Sequence, residues 1–260
     1  MKPGFFENGY AVYDVDPCIA RWAQAAWPLS DAAISDQALR DRWLVCEGTW
    51  FVGVDALPTG AQGQAGNVPL TGAVVDDLFA YTGDLSPLHR AQLSVVYPGY
   101  PKPREGETAA AFRYRQTRDA AHVDGLHAVG PQRRRQLGEG HGYILGLPLN
   151  SVGAGASPLV VWQGSHHIFH QMFRQAFEGV PVQDWTTIDL TEVYQATRRR
   201  VFDECPRVPL AVEPGQAVVL HRMALHGVAS WTENTAFPDG RRVVYFRPTL
   251  PDWSSWLDFP

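Results

Sequence analysis

Cysteine is scarce: only Cys18, Cys46 and Cys205 occur, far apart, in 260 residues. An odd and scattered set supports neither a disulfide framework nor a CxxC metal knuckle, and it fits a reducing compartment. No apolar run approaches the length of a membrane span, and MKPGFFENGYAVYDVD has no apolar stretch leading to a small-residue cleavage site. A soluble, unexported, cytoplasmic protein is the expectation. Basic residues are not in excess: 22 Lys and Arg stand against 27 Asp and Glu, for a net charge of -5 with no basic half. The electrostatic footprint of a nucleic-acid or anionic-membrane binder is therefore missing, which leaves small molecules or proteins as partners. Internal repeats and low-complexity segments are absent as well.

Turn formers and aromatics are plentiful, with 24 Gly, 20 Pro and 12% aromatic residues. That balance suits many short strands joined by turns. At this length one domain spanning 1–260 is the default, with a helical part over about 1–48 and a strand-rich core over about 49–250. Asp16-Pro17 reads as an N-cap with Pro at the first helical position, followed by Ile19, Trp22, Ala23 and Ala26 up to Pro28. A second helical pattern runs from Ser30 to Leu44. Residues 57–73, LPTGAQGQAGNVPLTGA, read as a surface loop with little that can pack.

From residue 91 the signals are mostly strand: AQLSVVYPGY, AAFRYRQTRDAAHV, GYILGLPL, SPLVVWQGS, VPLAVEPGQAVVLHR and RRVVYFRP. Helices are expected at Ile168 to Phe177 and from Asp189, capped with Glu192, through Val201. A helical lead-in followed by six or more short strands points to an antiparallel sandwich or closed barrel with helices outside.

AAHVDGLH, residues 120–127, holds the first chemical signal. In a strand, residues i and i+2 share a face, so His122 and Asp124 can direct an imidazole and a carboxylate into one cavity. Alone, a His-x-Asp triplet is more often a polar turn. About a hundred residues on, EPGQAVVLHRMALHGVASW supplies His221 and His226. Two histidines and a carboxylate on one side of a metal leave positions open for other ligands, the arrangement of non-haem Fe(II) oxygenases. His221, five residues from His226, falls on the opposite face of a regular strand and reads as a packed histidine.

Several segments now agree in order: His122-x-Asp124, then SPLVVWQGSH ending at His166, EPGQAVVLH ending at His221, His226-Gly227, and RRVVY opening at Arg241. Together they resemble the phytanoyl-CoA dioxygenase-like branch of the Fe(II)/2-oxoglutarate oxygenases, over roughly residues 91–248. The resemblance implies a mainly β fold with flanking helices around a double-stranded β-helix (jelly-roll, cupin-like) core. It implies Fe(II) bound by His122, Asp124 and His226, and 2-oxoglutarate held through its distal carboxylate by Arg241. It further implies O2 as co-substrate, hydroxylation of a small molecule, and release of succinate and CO2. Gln163 and Gln216 depart from the family's Pro and Asp at positions that shape turns. The ENTAFPDG segment lengthens the stretch before the arginines, so Arg242 competes with Arg241; adjacent strand residues face opposite ways, so only one points inward. Two rivals stay open: a cupin-type isomerase or lyase without 2-oxoglutarate, and an inactive barrel used for binding.

Other residues take plainer readings. His166, His167 and His170 lack the Glu of a metalloprotease helix and read as structural. Arg198 to Arg200 on a helix and Arg133, Arg134 and Arg135 in a loop both read as solvated charge runs, although the latter lie close enough to the metal edge to steer an anionic substrate. Arg113 and Arg115 fall opposite the ligands if their segment is a strand. Trp50, Phe51 and Trp162 fit the core; His141 precedes and Asn150 ends a strand that the resemblance implies runs beside the 2-oxoglutarate pocket; and His127 is a rim residue at most.

Overall fold

The computed structural model describes residues 1–234 and 237–258; Thr235 and Ala236, inside ENTAFPDG, and the terminal Phe259 and Pro260 lie outside the described residues. Along the chain come α1 (Phe5–Asn8), β1 (Tyr10–Tyr13), α2 (Pro17–Ser35), α3 (Gln37–Trp43), β2 (Leu44–Val45), β3 (Trp50–Phe51) and α4 (Ala73–Thr82). Next are β4 (Gln92–Val96), α5 (Ala109–Thr117), β5 (Leu126–Val129), β6 (Arg134–Leu137), β7 (Tyr143–Pro148), β8 (Leu159–Trp162) and α6 (Ser165–Ala176). After a 3-10 turn (Val182–Thr187) follow α7 (Thr191–Glu204), β9 (Arg207–Leu210), β10 (Ala217–His221), β11 (His226–Val228) and β12 (Arg241–Phe246).

Among the described residues the strands form a seven-stranded sheet ordered β1-β10-β7-β12-β4-β3-β2, a three-stranded sheet β11-β8-β9, and the hairpin β5-β6, with antiparallel pairing throughout. Alternation along the central strands sorts their side chains. Ile144, Val218, Leu220, Val243 and Tyr245 of the large sheet meet Leu159, Val161 and Leu210 of the small one, closing the inside of the sandwich. Leu145, Leu147, Val219, Val244 and Phe246 face the other way and bury Ile19, Trp22, Ala23 and Ala26 of α2. The small sheet is covered likewise, with Val160 and Trp162 packing on Phe169 and Phe173 of α6 and on Tyr194 and Val201 of α7. Both sheets are thus buried on two faces, which is why β7, β8, β10 and β12 read as nearly unbroken apolar runs. No helix among the described residues is long and apolar enough to cross a membrane.

Four local expectations are corrected. AAFRYRQTRDAAHV is not a strand: Thr108 accepts a hydrogen bond from Ala111 N at 3.2 Å and caps α5, whose three alanines favour helix. Arg113 and Arg115 therefore sit on a helix, and Arg115 is buried in an ion pair with Glu107. Pro28 does not end the first helix; it lies on the exposed face of α2, and the buried stripe continues past it through Ser30 and Ala33. The 57–73 segment is not loosely attached, since Leu57 and Ala65 are fully buried and Trp22 Nε1 donates to Gly63 O at 2.9 Å. The α6 helix starts at Ser165 rather than Ile168, so His166 and His167 ride on it. Gln216 does shape its turn, accepting from Glu213 N at 2.9 Å, whereas Gln163 ties its turn to the N-terminal segment by donating to Asn8 Oδ1 at 2.8 Å.

Candidate metal centre

His122 and His226 are brought together by the backbone. They exchange both main-chain hydrogen bonds, His122 N to His226 O at 2.8 Å and His226 N to His122 O at 3.0 Å, as an isolated antiparallel bridge. Directly opposed residues in such a pair project to the same side. Their rings lie 4.6 Å apart, and Asp124, two residues on, reaches the same spot. Its Oδ1 is 3.2 Å from His122 Nε2 and 3.8 Å from His226 Nε2, and one donor atom from each residue falls within 4.8 Å of the others.

Two glycines and a strained turn permit this approach. Gly227 lets the Asp119 carbonyl come in to accept Val228 N at 2.9 Å; a Cβ there would collide with that oxygen. Gly125, at φ 82°, turns the chain after Asp124 against the Glu139 carbonyl. Asp119 and Ala120 take left-handed φ of 52° and 54°, a conformation costing a non-glycine residue about 1 kcal/mol or more. Arg207 grips the Asp119 carboxylate with two bonds of 2.7 and 2.8 Å, and the turn presents Ala120 O to His122. On the other side, Ser165 Oγ accepts Leu225 N at 2.9 Å, fixing the backbone just before His226.

The imidazoles have defined tautomers. His122 Nδ1 lies 3.0 Å from Ala120 O and His226 Nδ1 lies 2.9 Å from Ala224 O. A carbonyl only accepts, so each Nδ1 carries a proton, and Nε2 of each ring is the atom turned toward Asp124. Burial pushes His226 down to about 4 against the pull of Asp124, so it is neutral near pH 7. Burial opposes ionisation of Asp124, but the His122 hydrogen bond and the nearby Arg247 hold its carboxyl well below the usual range. A carboxylate and two imidazole Nε2 atoms thus converge in a mostly buried pocket, a donor set that could hold a metal cation.

Arg241 and Arg242 separate cleanly. Arg242 is structural: its Nη1 lies 2.5 Å from Asp31 and 2.9 Å from Ser30 Oγ, its Nη2 lies 3.3 Å from Asp239, and it stacks 4.0 Å over Trp27. Arg241 points the other way, to the inner face that carries Tyr245, in a cross-strand row with Val96 and Trp50. Its Nη1 and Nη2 are buried without a hydrogen-bond partner among the described residues. A cavity of about 180 Å³ lies on this face, lined by Trp50, Ser94, Ile144, Leu220 and Tyr245 along with His122, Asp124 and His226.

The remaining expected residues are placed as follows. His221 is buried against Phe5 and His166, its Nδ1 accepting Met223 N at 3.1 Å, away from the centre. His166 donates from Nε2 to Phe6 O at 2.9 Å, and His170 Nε2 lies 2.6 Å from Leu257 O, so this cluster braces the fold. Asn150 holds the backbone at Gly240 and Arg242, and His141 Nδ1 donates to Arg247 O at 2.9 Å. Trp50 lines the cavity, whereas Phe51 and Trp162 are core. His127 is exposed, 3.7 Å from Glu139. Sequence reasoning passed over Arg247, whose Nη1 is 3.3 Å from Asp124 Oδ2. Its odd-numbered parity with Arg241 and Tyr245 in RRVVYFRP was the available signal.

No family model matches the chain, and no curated protein matches it in sequence. Solved structures do. The non-heme alpha-ketoglutarate-dependent carbocyclase SnoK from nogalamycin biosynthesis aligns over 96% of this chain and 86% of its own, with a TM-score of 0.50 and 15% identity. The chain has the double-stranded β-helix fold. AviO1 from Streptomyces viridochromogenes Tue57 aligns over 95% of this chain and 92% of its own at a TM-score of 0.48 and 18% identity. EctD from S. alaskensis, solved with 2-oxoglutarate and 5-hydroxyectoine, aligns over 94% and 73% at 0.42 and 16%. Identities this low speak for the fold alone.

Proposed function

We propose that this chain is a cytoplasmic Fe(II)/2-oxoglutarate-dependent oxygenase that hydroxylates a small molecule, with His122, Asp124 and His226 as metal ligands and Arg241 as the anchor for the 2-oxoglutarate distal carboxylate. The observation that carries the reading is a pair of features on the two sheets: on one, a carboxylate with two imidazole Nε2 atoms gathered around it, and on the other, a buried guanidinium whose terminal nitrogens have no carboxylate partner among the described residues. Two histidines and one carboxylate are the donor set for non-haem iron, and a planar guanidinium suits a carboxylate. SnoK, whose fold the chain shares, is itself non-heme and alpha-ketoglutarate dependent. The three cysteines are free, in keeping with a reducing compartment.

Bound there, iron and 2-oxoglutarate would supply O2 activation coupled to decarboxylation of the co-substrate to succinate and CO2. The chain's own part is to hold and to shield. Asp124 and the two Nε2 atoms set the ligand face, the carbonyls of Ala120 and Ala224 keep both tautomers fixed, and the apolar walls around Ile144 and Leu220 exclude water. Anaerobic titration with Fe(II) and then 2-oxoglutarate tests the reading through the visible charge-transfer band of the chelate. The band should appear in the wild type and vanish in Asp124→Ala and His226→Ala. Its persistence in either variant sinks the ligand assignment, and its absence from the wild type favours the isomerase or lyase.

A further inference from the structure

A groove of about 550 Å³ opens on the other side of the His122-Asp124 segment. Its ionic lining mostly pairs off: Arg115 with Glu107, Arg247 with Asp124, and Glu139 with His141 at 3.1 Å. Two cations are left over. Arg198 has no carboxylate within ion-pair distance among the described residues, and neither does Arg135, whose Nη1 reaches only Leu126 O at 3.5 Å.

Arg198 is held in place. Its guanidinium stacks 4.8 Å from the ring centres of both Tyr114 and Tyr194, its Nη1 donates to Tyr114 Oη at 2.9 Å, and its Nε is buried without a partner. Each tyrosine is tied to a neighbour of His122: Tyr114 Oη donates to Ala121 O at 2.7 Å, and Tyr194 Oη accepts Val123 N at 3.3 Å. The cation is therefore pinned beside the metal-bearing segment. Burial raises both phenols, Tyr114 to about 12, so neither offers a counter-charge near neutral pH. This differs from the rest of the arginine run, where Arg199 is exposed and Arg200 makes a solvated pair with Glu204 at 2.8 Å. The expectation of one solvated face holds for those two and fails for Arg198.

We propose that this groove receives the anionic group of the substrate, a carboxylate or a phosphate bound by Arg198 and Arg135, so that the substrate class is a small organic anion. This rests on the oxygenase reading for its catalytic meaning; the anion site itself does not. A guanidinium immobilised by stacking has already lost much of its rotamer freedom, so an anion gains a charge-assisted bond at reduced entropic cost.

The test is calorimetric titration with phenyl phosphate, benzoate and neutral benzamide, on protein loaded with Zn(II) and 2-oxoglutarate and in parallel on protein without added metal. At least one anion should bind about ten-fold or more tighter than benzamide, and Arg198→Gln and Arg135→Gln should each weaken it about ten-fold, as loss of a charge-assisted bond predicts. The two anions distinguish carboxylate from phosphate. Arg198→Lys keeps the charge but not the planar stack and should fall between, which covers failure of Arg198→Gln to fold. Anion binding no better than benzamide, or unchanged in both arginine variants, overturns the proposal. A wild type that shows no Fe(II)/2-oxoglutarate band yet binds anions through Arg198 rejects the oxygenase reading and keeps the groove; the reverse result rejects the groove alone.

Discussion

Replacing the two adjacent arginines of β12 by methionine should move stability in opposite directions. Arg242 bridges α2 to the sheet through Asp31, Asp239 and Ser30 and lies on Trp27. Removing one member of a buried pair costs about 3–5 kcal/mol. Asp31 and Asp239 are 50% and 64% exposed and rehydrate readily, so a loss of about 2–3 kcal/mol is expected, lowering Tm by roughly 5–10 °C for a chain of this size. Arg241 is a buried ion whose two terminal nitrogens have no partner among the described residues, and an apolar replacement for such a charge is neutral or stabilising by about 1–4 kcal/mol. Metal-free Arg241→Met should therefore unfold at or above the wild-type temperature. Ligand linkage then separates the roles: with Zn(II) bound and 2-oxoglutarate at a hundred times its Kd, the wild type gains about 2.7 kcal/mol. Arg242→Met should keep that gain and Arg241→Met should lose it. Thermal and urea unfolding, with and without 2-oxoglutarate, measure all four numbers. If Arg241→Met is as damaged as Arg242→Met, or is stabilised by 2-oxoglutarate as much as the wild type, the anchor assignment is wrong.

Two further predictions concern charge at the centre. His226 and His166 are both held down to about 4 by burial, so the unfolded chain binds more protons than the folded one between about pH 6.5 and 4. Their stability contribution is complete above about pH 6.5 and is lost as pH falls, by about 2–4 kcal/mol apiece at the acid end; metal-free urea unfolding that gives the same stability at pH 7 and pH 5 would contradict this. Arg247→Gln removes the bond that orients Asp124 and should weaken Zn(II) or Fe(II) binding by about 10–100-fold, with Arg247→Lys between; unchanged affinity in a competition titration would leave Arg247 without a positioning role.

What could be read from the sequence was local and periodic. The strand ending at His221 and the start of β12 follow from a two-residue repeat, and the structure keeps both; the same repeat says that only one of Arg241 and Arg242 faces inward, and the family resemblance supplied the preference for Arg241. AAFRYRQTRDAAHV was misread because Phe112, Tyr114 and the arginines imitate strand alternation, while the deciding features, the Thr108 cap and the alanine run, sit at its edge. The roles of Arg198 and Arg247 depend on partners 84 and 123 residues away, which no window of sequence contains.

The candidate metal centre shows why a motif could name candidate ligands without giving their geometry. In the sequence reading, His122 and Asp124 share a strand and the strand aims them. In the structure His122 has no strand, only a single bridge to His226, and it follows two left-handed residues that local propensity disfavours. That conformation persists because long-range contacts determine it: Arg207 on Asp119, the Asp119 carbonyl on Val228, and the absent side chain of Gly227. The turn puts the Ala120 carbonyl where it fixes the His122 proton on Nδ1, so the strained backbone is what leaves Nε2 free toward Asp124. The departure from local rules at residues 119–120 and the chemistry at residue 122 are thus one feature, and strain of that kind is where a propensity-based reading is expected to fail.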